Sequence, residues 1–579
     1  MIRKLSKSIR QFKRQTILGP LFIMTEAIIN TIIPLIMAKL IDEGINASDG
    51  GNILMYGITL IIASSLSLTL GIFAAKNSAE ASAGFAMNLR QDMFYNIQRF
   101  SFTSIDKFSS SSLITRLTSD ITNVQQSFLV IVRVAMRAPA TLTFALIMSF
   151  SVNAKLAMSF LYIAPLLAIG LLVIVKFAYP VFKRVFKLYD KLNNVVQENL
   201  RGIRPIKAYV RKEYEEDKFN DVSNDIYNNF CKAEKLISFN APLMNFCIFS
   251  CMLAISWFGA RIIVETNSVE LTTGELMGFF TYTMQILSSL MMLSMVFVMI
   301  TMSKASAERI VEVLDEKSDI VSPENAITTL ENGDITFENV SFGYSKDAEK
   351  YCLKNINISI KEGETIGIIG GTGSSKSSLV QLIPRLYDAN EGIVKVSSHD
   401  VREYDLDVLR NNVAMVLQKN ELFSGTLKEN LLWGNEFATD EEINKVCEIS
   451  AVNEFLHKFE QGLDTHIEQG GANVSGGQKQ RICIARALLK QPKILILDDS
   501  TSAVDTATEN SIKTSLKDYM PSTTKIIIAQ RISSVFDADK IIVLDDGVVT
   551  GFAPHDELME NNIIYREVYE SQNKGGIKE

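Results

Sequence analysis

From residue 368 to 379 the chain reads IIGGTGSSKSSL, a run of small residues ending in one cation and two adjacent hydroxyls. Gly370, Gly371, Thr372, Gly373, Ser374 and Ser375 let the backbone curl so that its N–H groups face an anion. Lys376 then stands where an ammonium would meet the β- and γ-phosphates of a nucleotide, Ser377 where a hydroxyl would ligate Mg2+, and Ser378 closes the loop. The apolar run 365–369 before the loop and the helical pattern after it complete a strand–GxxxxGK[ST]–helix phosphate cradle. One position departs, because the residue before the lysine is Ser375 rather than glycine. A side chain in that tight turn either weakens nucleotide binding or is tolerated there.

Two further stretches carry chemistry. Residues 493–497 read as an apolar strand ending in Asp498 and Asp499, the pattern in which an aspartate associates with nucleotide-bound Mg2+. In isolation it would equally suit a core strand and an acidic turn. Between the two motifs lies Val474-Ser475-Gly476-Gly477-Gln478, followed by Lys479-Gln480-Arg481. Alone, this would be a flexible Ser-Gly loop.

The elements that position these residues are of two kinds. A chain of 579 residues is too long for one compact core. Up to about Met302 it is dominated by long apolar runs, and after about Asn332 it reads as a soluble α/β domain. The mean hydropathy of +0.15 fits a protein half of which is in a membrane. A net charge of -7 gives no reason to expect a nucleic-acid partner. The six cysteines lack CxxC or Cys/His spacing, which argues against a metal site or a disulfide framework.

Six stretches, near 16–41, 53–75, 128–150, 156–178, 236–264 and 274–302, each supply the roughly 20 apolar residues that a bilayer crossing needs. Arg3, Lys4, Lys7, Arg10, Lys13 and Arg14 precede an apolar run longer than a leader's, so no cleavable signal is expected and the N-terminus should be cytoplasmic. Asp42, Glu43 and Asp49 mark the next connection as external. An even number of spans returns the C-terminal domain to the cytosol. The connections 76–127 and 179–235 are long, charged and helix-patterned, so the spans should continue into the cytosol, some 25 residues projecting roughly 35–40 Å. Transverse helices are expected at 104–118 and 208–219. Glu26 and either Arg133 or Arg137 lie at similar depth and suit an ion pair or a substrate contact. Met284, Met291, Met295, Met299 and Met302 share one helical face, which suits ordinary helix packing or an adaptable apolar surface.

With cradle, SGGQ loop and acidic strand end in this order, the C-terminal half resembles the ATPases of ABC transporters, whose signature motif is LSGGQ, here with Val474 in first place. Tyr344 in VSFGY resembles the aromatic that stacks on adenine, and Gln418 in MVLQ the glutamine that senses Mg2+ and the membrane domain. Ser502-Ala503-Val504-Asp505 resembles the D-loop, and Gln530 occupies the switch position usually held by histidine. The resemblance covers nearly the whole chain, since ABC exporters join a six-span domain with long intracellular helices to such an ATPase. It implies a multi-domain fold: an all-α six-helix transmembrane domain over 1–302, a linker over 303–332, an α/β P-loop ABC ATPase domain over 333–572 and a polar, disordered tail over 573–579. ATP and Mg2+ would be the cofactors, with Ser377, Gln418 and Asp498 around the metal.

The departures resemble the degenerate-site subunit of heterodimeric bacterial multidrug-type ABC exporters. The catalytic carboxylate, usually glutamate, is Asp499; the switch is Gln530; and 465–471 reads THIEQGG where many exporters have TxVGExG. Aspartate draws the carboxylate back by ~1.5 Å, and misplacement by roughly 1 Å can cost on the order of 10²-fold in rate. Glutamine cannot become cationic as imidazole does. The resemblance implies that Ser475, Gly476, Gly477 and Gln478 act in trans, completing the site of a second half-transporter that carries the usual glutamate and histidine. The other expected partners are the lipid bilayer of the cell (plasma) membrane and a hydrophobic substrate: drugs, lipids or peptides. The alternatives are a homodimeric exporter or lipid flippase with slow ATPase, and an ATP-binding regulatory protein. An importer would usually carry its membrane and ATPase domains on separate chains.

Overall fold

The computed structural model describes residues 1–345, 350–499 and 504–574; Ser502 and Ala503 of the expected D-loop, and the expected tail beyond 574, lie outside the described residues. The chain forms two compact units, one of Met1–Arg99 with Phe108–Glu316, the other of Phe100–Lys107 with Lys317–Glu579.

The first unit is all α. In hydrocarbon every backbone N–H and C=O must be satisfied within the segment, and the apolar runs meet this demand as helices. Helix α1 (Ile2–Leu5) leads to α2 (Lys13–Lys39) and α3 (Gly50–Gln98); α4 (Phe102–Phe108) follows in the chain but folds, up to Lys107, with the second unit; then come α5 (Ser110–Thr115), α6 (Ile121–Val152), α7 (Ala154–Arg201), α8 (Ile203–Ala208), α9 (Lys212–Ser238), α10 (Asn240–Glu265) and α11 (Thr273–Asp315). Six helical stretches are long and apolar enough to cross a membrane. The Asp49 carboxylate caps α3 by accepting from the Gly51 and Asn52 N–H groups. With 49 residues, α3 is about 73 Å long against a hydrocarbon core of about 30 Å.

Three expectations need correction. The transverse helix expected over 104–118 is broken into α4 and α5 at Ser109, whose φ is 54° and whose hydroxyl caps α5. The stretch 208–219 is not one helix: α8 ends at Ala208. A turn with Val210 at φ 53° follows α8, and 212–219 belongs to α9, whose Val222 and Ile226 pack on Val195. The stretch 303–332 is not a free linker. Helix α11, started by a reciprocal Thr272–Glu275 capping box, runs on to Asp315 because Ile310 and Val313 are buried. Beyond it, Ile320 and Leu330 are buried, and the Ile327 N–H donates to the Glu403 carbonyl at 2.9 Å.

Within the first unit an ion pair joins Arg137 Nη2 of α6 to Glu26 Oε1 of α2 at 3.0 Å. Asn30 donates to the same carboxylate at 3.4 Å and accepts from the Ser67 hydroxyl at 2.8 Å. Arg133, one turn from Arg137, is exposed. Met284, Met291, Met295 and Met302 are exposed on this unit and Met299 is half-buried, so helix packing within the chain does not consume that face.

Among its described residues the second unit holds two main sheets. Strands β1 (Ile335–Phe342), β2 (Leu353–Ile360), β4 (Glu391–Val396) and β5 (His399–Asp400) form an antiparallel sheet in the order β2-β1-β4-β5. The other contains β3 (Thr365–Ile369), β6 (Val413–Val416), β9 (Ile494–Asp498), β10 (Thr524–Ile528), β11 (Lys540–Asp545) and β12 (Val548–Ala553) in the order β12-β11-β3-β10-β9-β6, parallel except for β12. A small pair, β7 (Gly425–Thr426) and β8 (His466–Ile467), flanks them. Around the sheets lie α12 (Lys376–Gln381), α13 (Leu406–Asn412), α14 (Leu427–Leu432), α15 (Asp440–Ile449), α16 (Asn453–Leu456), α17 (Gly476–Leu489), α18 (Thr506–Tyr519), α19 (His555–Asn561) and α20 (Ile563–Lys574). Strands β9 and β10 are buried at every position, as expected of parallel strands covered on both faces. Helix α20 takes in Asn573 and Lys574, the start of the expected tail.

Removing one member of the Glu26–Arg137 pair strands the other in apolar surroundings. Glu26→Leu or Arg137→Met alone should each lower stability by about 1–3 kcal/mol, and the double substitution by less than either. Thermal melting of the detergent-solubilised protein checks the cycle.

Candidate functional site

The phosphate loop, the two aspartates and Gln530 converge where three parallel strands end. Strand β10 lies between β3 and β9, with Ile528 level with both Ile368 and Asp498. The loop after β3, the carboxylates after β9 and the residue two beyond β10 therefore reach one edge, the usual ligand-binding edge of an open α/β sheet.

The loop after β3 is tightly built at its base and open above. A Cβ on Gly370 would stand 2.2 Å from the Leu544 carbonyl oxygen, so only glycine fits there. Over Gly371 and Gly373 the equivalent space is open, and Thr372 is exposed beside them. Ser374 is buried. Lys376 Nζ donates to the Gly370 and Gly371 carbonyls at 2.8 Å each. Ser377 Oγ donates to Asp498 Oδ1 at 3.0 Å, a hydroxyl–carboxylate set suited to a hard divalent cation. Burial pushes the Asp498 carboxyl above its ordinary range, opposed by the Ser377 bond. Burial likewise pushes Lys376 down, opposed by Asp498 and Asp499. Both shifts tell of charges short of solvent, which phosphate and metal would compensate.

Asp499 has φ 47°, a left-handed conformation that aspartate adopts more readily than most residues. Gln530 Nε2 donates to Asp499 Oδ2 at 2.7 Å, so two of the positions that depart from the ABC ATPase pattern meet side chain to side chain. Gln418 is exposed two residues beyond β6. Asp505 heads α18, accepting from the Thr508 N–H at 3.0 Å and its hydroxyl at 2.8 Å, which holds its carboxyl below the usual range.

Ser475 starts α17 through a reciprocal capping box, the Gln478 N–H donating to its hydroxyl at 3.3 Å and its own N–H to the Gln478 side chain at 2.8 Å. Gly476 and Gly477 follow in the first turn. Among the described residues, none of these four hydrogen-bonds to the phosphate loop. The cradle and the signature are thus separate places on one domain.

Sequence reading missed residues that tie the site together. Tyr344 does lie by the cradle, its hydroxyl 2.8 Å from Ser378 Oγ, but its ring packs edge-on at 5.2 Å against Tyr387. The Tyr387 hydroxyl donates to Asp106 of α4 at 2.9 Å, and its ring lies 5.9 Å from that of Phe102. Burial and the Asp106 bond push this phenol above its usual range. Gln480, buried just after the signature, reaches the Asp499 carbonyl at 3.5 Å. No local motif marks either residue.

Comparison with known proteins accounts for both units. Residues 16–309 match the family model of the ABC transporter transmembrane region, and residues 353–502 that of the ABC transporter. The chain is 36% identical, over 95% of its length and 95% of the relative's, to the uncharacterized ABC transporter ATP-binding protein YfiB of Bacillus subtilis. It is 34% identical, over 74% of its own length and 73% of the relative's, to YheI of the same organism, a probable multidrug resistance ABC transporter ATP-binding/permease protein. A bacterial Atm1-family ABC exporter solved with ATP bound shares the fold, with a TM-score of 0.83 and 22% identity over 96% of this chain and 98% of that one. The six apolar helices and the phosphate-cradle domain are therefore those of a multi-pass membrane protein with its ATPase on the cytoplasmic side, and the chain belongs to the ABC transporter family as an exporter-type half-transporter.

Proposed function

We propose that this chain is one half of a heterodimeric exporter of hydrophobic compounds, holding ATP at a site of low turnover while lending its signature loop to the partner's catalytic site. The observation that carries the reading is the Gln530–Asp499 hydrogen bond of 2.7 Å. A general base needs a free carboxylate oxygen at the attacking water. Here the shortened carboxylate is engaged by an amide that has no proton to relay. The loop Ser475–Gln478, by contrast, keeps its capping box and an exposed helix start. A domain with a weakened base and an undamaged signature makes sense beside a second half-transporter whose glutamate and histidine are complete.

In this reading Tyr344 stacks on adenine, Gly370–Ser378 wraps the phosphates, Lys376 meets the β- and γ-phosphates, and Ser377, Gln418 and Asp498 hold Mg2+. Bound Mg2+ supplies neutralisation of phosphate charge. ATP then acts as a ligand that favours the closed pair of ATPase domains, and hydrolysis chiefly at the partner's site resets it. Asp505 caps the helix that follows the D-loop. The exposed methionine face of α11 supports an adaptable apolar cargo surface, and the multidrug resistance assigned to YheI supports the same cargo class.

Ser375 is compatible with ATP holding. Its φ of 71° is left-handed, and it makes no side-chain cap bond to α12. Its hydroxyl and that of Ser378 face the Cys352 thiol, and the space over Gly371 and Gly373 is open.

Purified alone, the chain should hydrolyse MgATP slowly, and Asp499→Glu with Gln530→His should raise that rate by about tenfold or more. Vigorous turnover by the unaltered chain alone would instead identify a homodimeric pump. Ser375→Gly should relieve the left-handed strain and raise stability by about 0.5–1 kcal/mol, read as a higher melting temperature with ATP affinity retained or improved.

A further inference from the structure

The loop after β10 is anchored by buried Ala529, Ile532 and Val535, but Gln530 and Arg531 between them are exposed. A cavity of about 670 Å³ separates it from the C-terminal helix α20, with Asp499, Gln530, His555, Tyr569 and Gln572 among its walls. One side chain bridges that space. Gln572 Nε2 donates to the Gln530 carbonyl at 2.9 Å, and Gln572 Oε1 accepts from the Ile532 N–H at 2.9 Å. The two bonds straddle Arg531 and imitate a rung of sheet, holding the loop backbone at the point from which the Gln530 side chain reaches Asp499. Helix α20 is itself anchored near its start, where Tyr565 is fully buried and its hydroxyl lies 2.8 Å from His555 Nδ1. The brace therefore joins a fixed helix to the two exposed residues of a loop that is otherwise anchored in the core.

We infer that Gln572 is a positioning residue for the switch: its side-chain amide sets the reach of Gln530 to Asp499 and so makes turnover at this chain's ATP site depend on the last turns of α20. The inference rests on the reading of Gln530 as the switch, and the test separates the two. In the purified full-length chain, Gln572→Ala should speed hydrogen exchange of the Ile532 amide by about tenfold, the effect of losing one net hydrogen bond or a little more. Gln572→Glu keeps the acceptor for Ile532 but loses the donor to Gln530, so it should preserve that protection. In MgATP turnover, both variants should raise kcat by about threefold to tenfold with KM for ATP within twofold, because a loosened Gln530 releases the Asp499 carboxylate. Gln530→Ala and the Gln530→Ala/Gln572→Ala double variant should then have the same kcat, because Gln572 acts only through Gln530.

Unchanged exchange at Ile532 in Gln572→Ala would overturn the brace, as would lowered kcat in the single variants or additive changes in the double variant. Should Gln530→Ala leave kcat unaltered while Gln572→Ala still frees the Ile532 amide, the switch reading fails, and with it the effect of the brace on turnover.

Discussion

The pairing of β10 between β3 and β9 is the constraint on which the nucleotide half depends. Parallel strands buried on both faces cannot slip in register without exposing apolar side chains or burying polar ones. That register sets Ile528 beside Ile368 and Asp498. The phosphate loop, the paired carboxylates and the switch loop come from segments far apart in the chain, yet each leaves the sheet at the same edge. The chemistry follows. Ser377 meets Asp498, and Gln530 meets Asp499, because their strands end level.

The membrane half meets the same demand, that no polar group be left unsatisfied, by different means. Its backbones are satisfied within helices. Its few deep polar side chains satisfy one another, as Glu26 does with Arg137 and Asn30. The two units are nevertheless not cleanly divided in sequence. Residues 100–107 leave the membrane half and fold with the nucleotide half, where Asp106 accepts from Tyr387 and Phe102 packs against the same ring. Tyr387 in turn meets Tyr344, which reaches Ser378 beside the cradle. A displacement at the phosphate loop thus has a short packed route to α4.

How much of this the sequence carried depends on how local the physics is. A phosphate cradle needs contiguous small residues, so 370–378 could be read directly. A bilayer crossing needs length and apolarity, so the six spans could be too. The capping boxes at Ser475 and Thr272 have a three-residue spacing that is equally legible. The breaks at Ser109 and Val210 were not, because a single non-glycine residue in left-handed conformation leaves no trace in hydrophobic pattern. Nor was the folding of 317–332 onto the second unit, which turns on isolated apolar residues such as Ile320 and Ile327. The bonds of Tyr387 to Asp106 and of Gln572 to the switch loop join residues 281 and about 40 positions apart, and nothing local announces them.

Helix α3 contains no proline, whereas α2, α6 and α7 each contain at least one. An uninterrupted rod of 49 residues has no joint at which a bend can be absorbed. A tilt of about 5° at one end of such a rod carries the other through roughly 6 Å, on a length of about 73 Å. Its cytoplasmic end is followed directly by the segment that folds with the ATPase. In mechanical terms α3 is a stiff arm of fixed length, so a tilt imposed at one end is carried undiminished to the other, and its stiffness is written in the absence of a proline.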